Sequence, residues 1–153
     1  TEESTWYVYG LEELLPLRIL LADYIDVQGD GRIEVIKIKD NSKYYGTGSI
    51  INVYDNVTGA LKESFRVIIF GDLNGDASIN ATDSSMIRDE IMGVTGWQYE
   101  DSDDYCHYRK MAANITGFTV GDNMVDISDS TCISFHVLGS AEIIQVDGSM
   151  LYA

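Results

Sequence analysis

The chain has 153 residues and a formal charge of −15, from 25 acidic and 10 basic side chains. That length gives room for one ordinary domain or two small ones, and the acidity excludes a nucleic-acid binder, which needs a basic face. No apolar run approaches the roughly 18 residues that read as a membrane-spanning helix, and the chain opens without a signal-peptide pattern, as expected of a piece cut from a larger protein.

Residues 1–70 read as a small β-rich module with one helix. Thr5-Trp6-Tyr7-Val8-Tyr9 is a short strand-like run closed by Gly10. From Leu11 to Ala22, Leu11, Leu14, Leu15, Ile19 and Leu20 or Leu21 fall at helical spacing, with Pro16 limiting where the helix starts. Ile33-Glu34-Val35-Ile36-Lys37-Ile38 largely alternates apolar and polar side chains, as a half-buried strand does. Ser49–Tyr54 and Glu63–Phe70, joined by Asp55-Asn56-Val57-Thr58-Gly59, read as a hairpin. An immunoglobulin-like sandwich is the open alternative to a small sheet. Asp26-Val27-Gln28-Gly29-Asp30-Gly31-Arg32-Ile33 imitates a cation loop, but the place of its last carboxylate is taken by Lys37. It reads as a strand-to-strand turn.

Asp72-Leu73-Asn74-Gly75-Asp76-Ala77-Ser78-Ile79-Asn80-Ala81-Thr82-Asp83 is the most informative stretch. Oxygen-bearing side chains stand at loop positions 1, 3, 5, 9 and 12, with an apolar Ile at position 8. Ca²⁺ takes about six to eight oxygen ligands at about 2.3–2.6 Å, and this spacing lets one short loop surround an ion. Asp72, Asp76 and Asp83 repel one another, by about 1 kcal/mol per pair at ~4 Å in water and about 4 at an effective dielectric near 20. Without a cation the loop is expected to open.

The segment Ile79–Gly93 recurs 46 residues later as Val125–Gly139, with four of fifteen positions identical and apolar matching apolar nearly throughout. The metal-position Asp, the following Ser and the closing Gly all recur, which marks an internal duplication. Helices are predicted at about 81–92, 104–113 and 128–138, with Ser84 and Ser130 as cap-like groups in their first turns. The linker Val94 to Asp103 is acidic, and its Trp97 is expected to cover the core edge. The expected fold class is therefore α+β: a β-rich module over 1–70 with one helix, then an all-α three-helix unit over 71–153. Cys106 and Cys132 are the only cysteines. Cys132 replaces Met86 of the first copy and reads as a small buried hydrophobe; a Cys106–Cys132 disulfide and two free thiols are both open.

The two loop–helix copies, and the run Val67-Ile68-Ile69-Phe70-Gly71-Asp72 that enters the first, resemble a dockerin with an adjoining X-like module. The resemblance is close over about 72–139 and loose over 1–71. It implies a secreted, cell-surface-associated bacterial protein that plugs into a cohesin on a scaffoldin, building an extracellular polysaccharide-degrading complex of the cellulosome type. It also implies two Ca²⁺ ions. The first is held by Asp72, Asn74, Asp76, the Ser78 carbonyl, Asn80 and Asp83, with Ala77 standing where the family has Gly, at a position of unusual backbone conformation. Matching the copies gives the second site Asn114, Thr116, Asp122, the Met124 carbonyl, Asp126 and Asp129, with about four residues inserted (Phe118–Gly121). Asn114 in place of an aspartate predicts weaker binding there.

The family's cohesin-contacting helix positions fall here on Ala81, Thr82, Arg88, Asp89 and Gly93, and on Ile127, Ser128, Ser134, Phe135 and Gly139. One set is polar and the other partly apolar, so a single binding orientation is expected, with Ile127 and Phe135 as anchors. A paired EF-hand sensor or buffer is the nearest rival, but it needs a helix before each loop, and Arg66–Phe70 is β-branched and aromatic. A part of a glycoside hydrolase is the weaker rival: the two histidines, His107 and His136, belong to no recognisable nucleophile motif, and His136 reads as a surface residue. No catalysis is expected. The sequons at Asn56, Asn80 and Asn114 read as accidental, because two of them fall on proposed ligands.

Overall fold

The computed structural model describes residues 6–38, 43–97, 104–115 and 125–152. The strands β1 (Trp6–Val8), β2 (Gly31–Ile36), β3 (Ile50–Asp55) and β4 (Leu61–Val67) form one sheet in the order β1-β4-β3-β2. β3 runs antiparallel to β2 and β4, while β1 joins parallel to β4, with Trp6 opposite Phe65 and Val8 opposite Val67. A single sheet with a parallel edge strand is not an immunoglobulin-like sandwich, which needs two antiparallel sheets face to face. The hairpin read at Asp55–Gly59 is present. The Asp55 carboxylate accepts the amides of Val57 and Thr58 and holds the turn, and Gly59 supplies a left-handed residue at φ +70°.

The helix expected within Leu11–Ala22 begins only after Pro16, the residue expected to limit its start. α1 (Leu17–Ile19) is a single turn that runs on as a π-helical turn over Leu20–Tyr24. Pro16 stands at its N-cap, where its missing N–H costs nothing. Upstream, Leu14 is left-handed at φ +59°, and Leu11 and Leu15 are buried from an irregular strap rather than from a helix face. The imitation loop near Asp26 joins this helical turn to β2, so it is a helix-to-strand connection. There Asp30 accepts from the Asn56 side chain.

Helices α2 (Ala81–Ile91), α3 (Asp104–Ala113) and α4 (Ile127–Leu138) lie within a residue or so of their predicted places. The expected all-α character of this half is wrong. After α4 the chain forms an antiparallel hairpin, β5 (Ala141–Ile143) with β6 (Met150–Tyr152). Ala141 and Ile143 alternate inward around exposed Glu142, and Gly148 at φ +71° lets the backbone close against the ring of Phe70. The Gln145 side chain then bonds both backbone groups of Phe70. The described residues thus make a mixed α/β fold with a four-stranded sheet, a two-stranded sheet and four short helices.

One hydrophobic cluster takes in both halves: Leu20 and Ile51 from the first, Ile87, Tyr108, Ile133 and Ile143 from the second, and the buried run Val67–Phe70 between them. The duplication is visible as an approximate two-fold arrangement. The Ser84 and Ser130 hydroxyls meet at 2.7 Å, and each also reaches the other's backbone carbonyl at 3.2 Å. These serines join α2 to α4 instead of capping them; the caps are Asn80 and Asp126. A hydroxyl is small enough to let the helices approach there and still satisfy itself without water.

The segment ahead of β3 packs on the first loop without clearance. A Cβ on Gly46 would strike the carbonyl of Gly75 and the amide nitrogen of Ala77. Gly46→Ala should therefore destabilise the fold by about 1–3 kcal/mol, read as a lower urea midpoint at unchanged slope; an unchanged midpoint would contradict this packing.

Candidate metal centre

Loop one hangs between β4 and α2, and its two terminal aspartates are fully buried. Asp72 accepts the amides of Thr47 and Ala77 on Oδ2, at 2.9 and 3.0 Å, and that of Gly75 on Oδ1 at 2.9 Å. Asp83 accepts Leu73 and Asn74 on Oδ1, at 2.8 and 3.2 Å, and Asn80 on Oδ2 at 3.0 Å. Asp76 accepts the Ser78 amide on Oδ1 and the Asn74 side chain on Oδ2. Backbone N–H groups converge on the carboxylates across the loop, the kind of bond that favours the charged form.

The sequence gives these bonds their geometry. Gly75 at φ +80° and Ala77 at φ +67° bend the chain so that successive amides point inward. The expectation of an unusual conformation at Ala77 is met, at a cost of about 1–2 kcal/mol for a residue bearing a Cβ. Asp83 is also the third helical residue of a capping box with Asn80, and Asp129 plays the same part with Asp126. The metal-position aspartates thus have a helix-starting role that the spacing argument overlooks.

Burial pushes the Asp72 carboxyl up from 3.8 to about 7, with the negative charges of Asp83 and Asp76 adding to the shift and the Thr47 and Ala77 amides opposing it. Burial likewise raises Asp83 to about 6, against three backbone donors. Neither carboxylate meets a basic side chain among the described residues. Each accepts three N–H groups and a carboxylate offers about four lone-pair directions, so one remains on Asp72 Oδ1 and one on Asp83 Oδ2. Among the described residues no three Asp, Glu, His or Cys side chains converge as a metal cluster. The donor set therefore fits calcium only in the loop manner, with carboxylates supplemented by the Asn74 amide oxygen and the Ser78 carbonyl. Asn74 Oδ1 and Asn80 Oδ1 each already accept one backbone N–H, from Asp76 and Thr82 respectively.

At the second loop, Asp126 caps α4 and Asp129 is buried beneath it, while Asn114 is half-buried at the end of α3. Thr116, Asp122 and Met124 lie outside the described residues. Cys132 is a free, half-buried thiol, so the disulfide is not formed; the Cys106 side chain lies outside the described residues.

Of the expected partner residues, Ala81, Thr82, Arg88, Ile127, Ser128 and Phe135 are exposed, with Gly93 and Gly139 at the exposed helix ends, and Asp89 is half-buried. Ser134 is not presented outward: its hydroxyl bonds the Ser130 carbonyl and approaches Ser84. The structure adds residues that helix positions alone could not supply. Leu138 stands 76% exposed on the same α4 face as Phe135, the Tyr152 ring packs edge-on against Phe135 at 6.2 Å, and exposed Leu151 borders a groove with Gly139 and Glu142. Leu138 ends the last predicted helix, while Leu151 and Tyr152 stand in the tail beyond it, for which no element is predicted. His136 is half-buried and has partners on both ring nitrogens: Nε2 faces Glu13 and Nδ1 accepts the Ile143 amide. Trp97 is buried at the core edge as expected.

The chain matches no protein-family model, no curated protein and no solved structure.

A carboxyl with a raised folded pKa binds more protons in the fold than in the unfolded chain, so ion-free stability falls as pH rises from about 4 to about 7. Calcium needs the deprotonated groups, so its affinity rises over the same window. The melting temperature should fall from about pH 5 to about pH 7.5 in chelator, and the gain on adding calcium should grow. Parallel melting curves with and without calcium would contradict the assignment.

Proposed function

We propose that this protein is a calcium-dependent, non-catalytic adaptor of the dockerin kind. Its partner is a cohesin on a scaffoldin or cell-surface anchoring protein, and its setting is extracellular. The observation that carries the reading is a pair of buried like-charged carboxylates, Asp72 and Asp83, at the head of one of two duplicated helices. A divalent ion there neutralises charge that no side chain nearby offsets. Binding an ion only in the folded state stabilises it by about 2.7 kcal/mol at a hundredfold excess over Kd, a large share of the roughly 5–15 kcal/mol typical of a domain.

The docking face we assign is α4 with its hairpin. Ile127, Thr131, Phe135 and Leu138 share one face of α4. The matching places on α2 are Ala81, Ser85, Asp89 and Met92. A partner able to settle on apolar α4 meets Asp89 on α2 in the place of Phe135, which favours one orientation over its two-fold mate. The sensor reading is supported less well, because β4 and the irregular run Ile68–Gly71 precede loop one where an EF-hand has a helix.

In a pull-down against a panel of purified cohesins, at least one should bind in millimolar calcium and be released by EDTA. Replacing Ile127 and Phe135 together by Ala should cost about 2 kcal/mol or more without lowering the melting temperature. Unchanged affinity in that variant, with loss in Arg88→Ala, would move the face to α2.

A further inference from the structure

Glu13 belongs to neither repeat, yet it touches both. It sits in the irregular strap before Pro16, where left-handed Leu14 gives its amide to the Ala77 carbonyl at 2.8 Å. That bond lays the strap along loop one. Glu13 Oε2 then accepts the amide of Ile79 at 2.8 Å, and Oε1 lies 3.2 Å from His136 Nε2. Because His136 Nδ1 accepts the Ile143 amide, the ring proton available to Glu13 is the one on Nε2. A continuous chain of hydrogen bonds runs from Ile79 through Glu13 and His136 to Ile143.

Its two ends matter to function. Ile79 stands between Ser78 and Asn80, so the position of its amide sets where the Ser78 carbonyl points. His136 and Ile143 lie at the junction of α4 with β5, beside Phe135, Leu138 and Tyr152. The equivalent of His136 in the first copy is Glu90, which is buried and accepts from Thr95 and the Trp97 amide. The first copy therefore spends this position on its own linker, while the second spends it on the strap.

We propose that Glu13 is a positioning residue that couples the first cation loop to the α4–hairpin face, an inference that rests on the calcium-adaptor reading. Loading the loop fixes the Ile79 amide, and with it the carboxylate and imidazole that orient the hairpin. By linkage, a partner seated on the hairpin tightens calcium at loop one to the same degree.

The test is a calcium titration of the full chain, followed by calorimetry and by the amide resonance of Ile143. Parent, Glu13→Ala, Glu13→Gln and His136→Ala are compared. In the parent the Ile143 resonance should move as loop one fills. Glu13→Ala should weaken calcium by about tenfold, the size of one charge-assisted hydrogen bond, and leave Ile143 unresponsive. In Glu13→Gln the new side-chain carbonyl can still accept from Ile79, but the amide nitrogen beside it meets a second donor at His136. That variant should keep calcium affinity within about twofold and lose the Ile143 response, as should His136→Ala. If Glu13→Ala does not fold, these two milder variants carry the test. A lowered melting temperature with unchanged affinity and an intact Ile143 response would reduce Glu13 to a structural brace and overturn the proposal. A parent that takes up no calcium would overturn the metal reading itself, and the coupling with it.

Discussion

Two aspartates, Asp72 and Asp83, are buried without a counter-charge, and the architecture around them follows from that constraint. Burying an ionised carboxylate is expensive unless hydrogen bonds or an ion compensate it. Backbone amides do part of this, and they come from three places: the loop itself, the capping box at the start of α2, and Thr47 from the segment leading into β3. The Thr47 hydroxyl also bonds both backbone groups of Ile69. The first half of the chain thus reaches directly into the cation loop, and Gly46 has no side chain because one would block that approach. What amides leave uncompensated is the mutual repulsion of two buried charges, and this is what the proposed divalent ion would remove.

The duplication supplies a symmetric frame, and the rest of the chain breaks its symmetry. Ser84 and Ser130 face each other on the approximate two-fold, and Ile87 and Ile133 are equally buried beside them. Outward positions have diverged where Asp89 answers Phe135 and Ala81 answers Ile127. The β5–β6 hairpin follows only the second copy and adds Leu151 and Tyr152 to its apolar face. A shared interior with unlike exteriors is the arrangement that lets a duplicated fold hold one partner in one orientation.

Elements that depend on local spacing were legible in the sequence. The β3–β4 hairpin and the three later helices follow from alternation, helical periodicity and turn chemistry, whereas the bend at Ala77 was implied only by the resemblance to a loop with Gly in that place. The first helix is shorter than its leucine spacing suggests, because Leu11, Leu14 and Leu15 pack as a strap with Leu14 left-handed, and the helix starts only after Pro16. The terminal hairpin was missed because its strands are three residues each, too short for a period to register, and its register depends on Phe70 some 75 positions away. At the cation loop, ligand spacing was readable while the outside contributors were not. Nothing near Thr47 or Glu13 in sequence indicates that one donates to Asp72 and the other accepts from Ile79. The dual duty of Asp83 and Asp129 was hidden differently, since a capping box and a metal position place the same residue at the same site.

Growing crystals in calcium tests the central claim most directly, since the ion and its oxygens are then seen together. The account predicts one strong peak bounded by Asp72, Asn74, Asp76, the Ser78 carbonyl and Asp83, with oxygen distances of about 2.3–2.6 Å. Only water within hydrogen-bonding distance of those oxygens, at saturating calcium and neutral pH, would contradict it.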